Sequence, residues 1–150
     1  MSWIPRVAPN VSSKRPLIYL FQINSPEREY RYVGKASNQS RFKREYQANI
    51  EKILVRKPRR ESHTKDGRPQ TKNNMTFRRI HLLLAIALEE GWKITQTAIE
   101  NVPREKLKAR ENELTRELNC DLNGQSKWAI EDYEQLKAEL LARASEGGLK

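Results

Sequence analysis

The chain has 150 residues, a formal charge of +10, an isoelectric point near 9.9 and only 37% apolar residues. That length suits one domain with a single core. The charge favours polyanions, nucleic acid first, although binding of RNA or an acidic membrane without any chemistry fits charge alone equally well. No stretch approaches the ~20 apolar residues of a bilayer span. The first ten residues lack the apolar core of a signal peptide, and the lone Cys120 excludes an intramolecular disulfide. A soluble, cytoplasmic protein with no membrane partner is the expectation.

Residues 17–23 form an apolar run and 29–34 alternate polar and apolar; the Asn24-Ser25-Pro26-Glu27-Arg28 segment between them is turn chemistry, so an antiparallel hairpin is predicted. A helix follows over 40–54, with Phe42, Tyr46, Ile50 and Ile53 at helical spacing toward the core. The next stretch carries most of the charge excess. Arg56, Lys57, Arg59, Arg60, Lys65, Arg68, Lys72, Arg78 and Arg79 are opposed there only by Glu61 and Asp66. Pro58, Gly67, Pro69 and Asn73-Asn74 make its first two thirds an irregular loop.

A second helix, 76–90, is apolar nearly all round, as a buried central helix would be, and Gly91 caps it. The β-branched 92–102 segment predicts a third strand. Pro103 then opens a third helix, 103–118. After a connection over 119–125, a last helix starts near 126, with Ile130, Tyr133, Leu136 and Leu140 on one side and a frayed 145–150 tail. The expected architecture is α/β (α+β), a small three-stranded antiparallel sheet flanked by helices. A main domain spans 1–125 with a basic insertion at about 55–75, and 126–150 serves packing or oligomerisation.

One residue breaks this pattern. The apolar stripe of the third helix reads Leu107, position 111, Leu114, Leu118, and position 111 is Glu. A buried carboxylate costs several kcal/mol unless it is paired or holds a cation. A salt bridge, or a place at the core's rim, is the plain explanation for Glu111. Glu105, Glu113 and Glu117 lie off the stripe and need none.

The array Ile18-Tyr19, then Tyr32-Val33-Gly34-Lys35, then Arg41, then Glu111 with Asn119 and Asn123 after it, resembles the GIY-YIG nuclease superfamily. The likeness spans most of 17–123, includes the IHLLLAIALEEG stretch (80–91), and is greatest to the small stand-alone phage enzymes of that superfamily. Leu17 stands where that family opens its first motif with glycine. The spacing after Gly34 leaves the catalytic arginine to Arg41 or Arg44, and the family's His or Tyr four residues after it falls on Glu45, with Tyr46 next.

The resemblance implies an endonuclease that hydrolyses double-stranded DNA with Mg²⁺, for which Mn²⁺ can substitute. Glu111 would be the metal's carboxylate, and one such ligand suits a cation that keeps its waters. His63, His81 and Cys120 are too scattered for zinc. Arg41 would clamp the phosphate. Tyr19 and Tyr32 would orient the attacking water, one of them as general base. Free tyrosine has a pKa of ~10, so a cation such as Lys35 would have to favour the phenolate. Asn123 would hold active-site backbone or phosphate, and Gly34 would allow close backbone approach. Arg44 and the basic residues of 56–79 named above would grip DNA phosphates. A homo-oligomer, dimer or tetramer, through the C-terminal helix or the insertion, and the cytoplasm of a bacterial or phage-infected cell complete the expectation. The alternative is a GIY-YIG-like module that binds nucleic acid without cutting it.

Overall fold

The computed structural model describes residues 3–44, 46–71, 75–123 and 127–148, with the side chains of 39, 40, 43 and 146–148 left aside. Two long strands, β2 (Leu17–Asn24) and β3 (Glu29–Ala36), form the predicted hairpin, in register from Leu17↔Ala36 to Asn24↔Glu29. Ser25 closes the turn: its N–H donates to Arg28 O and its hydroxyl accepts from the N–H groups of Glu27 and Arg28. The predicted third strand, β5 (Lys93–Asn101), lies antiparallel on the other side of β2, with a bulge at Ile18/Tyr19.

Among the described residues the sheet has four strands rather than three: β1 (Arg6–Val7) is added, and the order is β1-β5-β2-β3. The added strand pairs parallel with β5. Two residues carry no readable periodicity. The N-terminal segment is tied down instead by long-range contacts, with Trp3 Nε1 donating to Gln96 Oε1 (3.0 Å) and Trp3 packing edge-on against Phe21. Gln96, 1% exposed, uses its other end to donate to Phe42 O, so a buried polar group is fully engaged.

The single helix expected over 40–54 is two: α1 (Gln39–Arg44) and α2 (Gln47–Leu54), with Tyr46 in the break. The second helix, α3 (Arg79–Glu90), starts three residues later than expected because Phe77–Arg78 is extended (β4) and pairs with Lys127–Trp128 (β6) in a separate two-stranded ribbon. The last helix accordingly begins late, as α5 (Tyr133–Gly148), and it runs into the tail expected to fray. Gly91 caps α3 in the left-handed region (φ 73°), as its sequence position implies. The third predicted helix is a 3₁₀ turn (Arg104–Lys106) followed by α4 (Leu107–Glu117).

Side-chain alternation divides the sheet into two faces. Leu17, Tyr19, Phe21 and Ile23 of β2, with Tyr30, Tyr32 and Ala36 of β3, join the core built with α1, α2, α3 and α5. Ile18 and Val33 point the other way and pack on Leu107 and Leu114 of α4. α3 is buried almost throughout, as expected. α5 spends its apolar side (Tyr133, Leu136, Leu140, Ala144) on its own domain. A second copy of the chain would therefore have to meet a different face of that helix. Among the described residues, no helix is long and apolar enough to cross a membrane.

Candidate active-site cleft

The cleft forms beside β3, the outer strand of the sheet. Tyr19 sits on β2, one strand in from that edge, opposite Gly34. Its ring lies against Gly34: a Cβ there would stand 2.2 Å from Tyr19 Cζ and 2.4 Å from Oη. Glycine here makes room for the tyrosine ring. Without a side chain at 34, the Tyr19 hydroxyl reaches the cleft although the ring is 1% exposed.

Tyr46, in the α1–α2 break, hydrogen-bonds hydroxyl to hydroxyl with Tyr19 and packs edge-on against Phe21 and Tyr32. Of the two candidates for the position after Arg41, Tyr46 reaches the cleft, and Glu45 lies outside the described residues. Tyr32 Oη accepts a hydrogen bond from Arg78 Nη1 (3.3 Å). That arginine is delivered by the β4–β6 ribbon, which also places Lys127 opposite it.

Asn38 Oδ1 accepts from Arg41 N (2.8 Å), capping the first turn of α1, and Arg41 lines the cleft. Arg44 is exposed and is not among the residues lining the cleft. From the opposite face of the sheet, α4 contributes Glu111 and Lys108. The Glu111 side chain is only 13% exposed and pairs with Lys108 Nζ at 3.3 Å. Glu111 thus lies at the rim of the core, salt-bridged, and also opens on the cleft.

Asn123 acts on the backbone. Its Oδ1 accepts from Val33 N (2.8 Å) and its Nδ2 donates to Val33 O (2.6 Å), so one carboxamide occupies both edge groups of a buried residue. Leu122 N donates to Arg31 O beside it, so 121–123 runs along β3 as a makeshift strand. Asn119, grouped with Asn123 on sequence, is instead a helix stop. At φ 52° it ends α4, its N–H donating to Arg116 O and that of Cys120 to Thr115 O.

Tyr19, Tyr32, Lys35, Arg41, Glu111 and Asn123, spread over more than one hundred positions, thus line one cleft of about 310 Å³. Lys35, Arg41, Arg78, Lys108 and Lys127 make it strongly cationic, and Glu111 is its single acid among the described residues. Arg78, expected to grip DNA, and Tyr46, a candidate for the position after the arginine, both line the cleft; Lys108 and Lys127 escape a reading of spacing because each comes from a separate element. Compared with known protein families, curated proteins and solved structures, the chain matches none.

The basic residues of the insertion part company. Lys57, Arg60, Lys65 and Arg68 are exposed, Arg68 beside Asp66 (3.1 Å) on a tight turn closed by Gly67 at φ 86°. Lys72 lies outside the described residues. Arg79 is half-buried at the start of α3, away from the cleft. Arg56, expected to grip DNA, is a structural clamp. It pairs with Glu89 and Glu134 and stacks over Tyr133 at 4.6 Å, joining α2, α3 and α5. Burial works against ionisation of Glu89, but hydrogen bonds from Tyr133, Arg56 and Lys137 hold its carboxyl below the usual value.

Proposed function

We propose that the chain is a metal-dependent endonuclease of the GIY-YIG kind, hydrolysing phosphodiester bonds of double-stranded DNA. One observation carries the reading: three tyrosines, a helix-borne arginine and one carboxylate share a cleft with four further cations. A phosphodiester is an anion that gains charge as it is attacked, and preorganised cations around the reacting position stabilise that charge most in a site shielded from water.

Arg41 holds the scissile phosphate, its planar fork matching two non-bridging oxygens. Because Tyr32 Oη accepts from Arg78, its own O–H is turned elsewhere and can engage the attacking water. Tyr46 braces the Tyr19 hydroxyl, fixing the second contact to that water. Lys35 and Lys127 add positive charge along the same wall. Asn123 keeps β3 in place at the wall of the cleft.

Among the described residues no three His, Cys, Asp or Glu gather as a ligand set, so the donor chemistry is one carboxylate near hydroxyls. That fits Mg²⁺, or Mn²⁺ in its stead, held by Glu111 and water. When bound, such an ion supplies Lewis-acid polarisation of the phosphate and of water. Lys108 would have to yield Glu111 to it. The Lys108–Glu111 pair is also what favours the alternative, a module that binds nucleic acid and leaves it intact. One cleft serves one strand, so a double-strand break takes two protomers or two visits. Burial pushes the Cys120 thiol up to about 11, which keeps it protonated and unreactive near neutral pH.

Supercoiled plasmid incubated with Mg²⁺ or EDTA at low salt separates the readings. Magnesium-dependent nicking or linearisation by wild type, absent with Glu111→Gln, supports the nuclease. Plasmid binding without cutting, on DNA of varied sequence, leaves the binding module.

A further inference from the structure

Beside the cleft lies a second cavity of about 240 Å³ that shares Tyr46, Arg78 and Lys127 with it and adds Arg59, Asn49, Thr76 and His81. We propose, resting on the nuclease reading, that this cavity is a second phosphate site, which holds a backbone phosphate neighbouring the scissile one.

The wall is made of donors. Arg59, Arg78 and Lys127 bring three cations, and no carboxylate lines the cavity among the described residues. Arg59 is fixed there by its Nε, which donates to Thr76 O at 2.7 Å. His81 is buried, and its Nδ1 accepts the backbone N–H of Arg78 (3.2 Å), so the neutral ring carries its proton on Nε2. Nε2 faces the Asn49 carboxamide, whose nitrogen is placed nearest, at 3.4 Å. A donor there requires the carboxamide oxygen. The two ends of a carboxamide are alike in shape, so Asn49 then turns its NH₂ toward the cavity as a further donor.

Crowded like charges leave their mark on the groups between them. Burial, then Arg78, Arg59 and Lys127, push His81 down to about 3; burial, then Arg60 and Arg78, lower Arg59. An anion lying between Arg59, Arg78 and Lys127 is attracted by all three at once. Arg78, common to both cavities and bonded to Tyr32, would tie occupancy of the second site to the geometry of the first.

The test is binding of a mixed-sequence DNA duplex by fluorescence anisotropy in EDTA, across roughly 50–200 mM salt, where each neutralised phosphate contributes about 0.9 to the slope of log affinity against log salt. Arg59→Ala and Lys127→Ala are each expected to lower that slope by about 0.9. The double variant is expected to lower it no further, since both side chains serve one phosphate. Asn49→Ala is expected to weaken binding with the slope unchanged, because it removes a neutral donor. Lys127 is exposed, so its variant tests the idea even if Arg59→Ala unfolds. Unchanged slopes in both single variants overturn the site, and additive losses in the double variant overturn it in favour of two separate surface contacts. Wild type that binds with these slopes but never cuts plasmid defeats the nuclease reading alone. Wild type that does not bind duplex defeats both.

Discussion

The Tyr19 ring occupies the space that a side chain at Gly34 would fill, two strands meeting through the absence of a Cβ. The ring cannot swing aside, because Phe21, Phe42 and Tyr46 surround it. Gly34→Ala is therefore expected to destabilise the fold by about 1–3 kcal/mol, the usual cost of overpacking. It should also abolish cleavage by displacing the Tyr19 hydroxyl. Urea unfolding and plasmid cutting measure the two effects; an alanine variant with wild-type midpoint and activity would show that the ring has room to move.

Asn123 offers a different handle on the same strand. Asn123→Ala leaves the N–H and C=O of buried Val33 without their partners, at a cost of about 2 kcal/mol. Asn123→Asp keeps an acceptor for the N–H but sets an oxygen against the Val33 carbonyl, so it should rescue little. Hydrogen exchange at the Val33 amide reads this directly. Exchange should speed up in both variants.

Arg56 separates backbone cost from side-chain gain. It sits at φ 61° just past α2, where its N–H donates to Ile53 O and that of Lys57 to Lys52 O, a helix stop that ordinarily prefers glycine. Arginine is kept there because its side chain clamps Glu89, Glu134 and Tyr133. Arg56→Ala loses the clamp and keeps the strained backbone, for a loss of about 1–2 kcal/mol. Arg56→Gly loses the clamp but relaxes the backbone, and should be the more stable of the two by about 1 kcal/mol. Neither should change duplex affinity. Denaturant midpoints and anisotropy together check this, and a loss of DNA binding in both variants would return Arg56 to the interface.

His81 makes stability depend on pH. Its folded value of about 3 lies below the ordinary 6.5, so the unfolded chain binds the extra proton between those limits. Its contribution is present above pH ~6.5 and is lost as pH falls toward 3. Between pH 7 and pH 5 the wild type should lose about 2 kcal/mol through this group. His81→Gln should flatten that part of the profile, measured as the difference between urea-unfolding free energies at the two pH values. Parallel profiles for the two proteins would mean that His81 takes up its proton equally in the folded and unfolded chain.

Much of this protein is legible along the chain because the signals are local. An apolar run marks β2, alternation marks β3, apolar surroundings mark α3, Gly91 marks its end, and Glu111 stands out on an otherwise apolar helix face. Those signals depend on neighbours within a turn or a strand, and the structure keeps them. Position in space is another matter. Arg56 and Arg59 stand three residues apart in one basic run, yet one clamps helices and the other lines a cavity; charge composition cannot distinguish them. Tyr46 breaks a helix that its periodicity would continue, and Phe77–Arg78 leaves α3 to pair with Lys127–Trp128 some fifty residues on. The two-residue β1 is held by distant partners, its ladder with β5 and the contacts of Trp3 with Gln96 and Phe21.

What the sequence determines by itself is which segments can be strands or helices and which side chains are chemically equipped for the cleft. What only the tertiary structure decides is which of those side chains meet. Meeting requires partners far apart in the chain to pack and hydrogen-bond together, and no local preference encodes the separation between them.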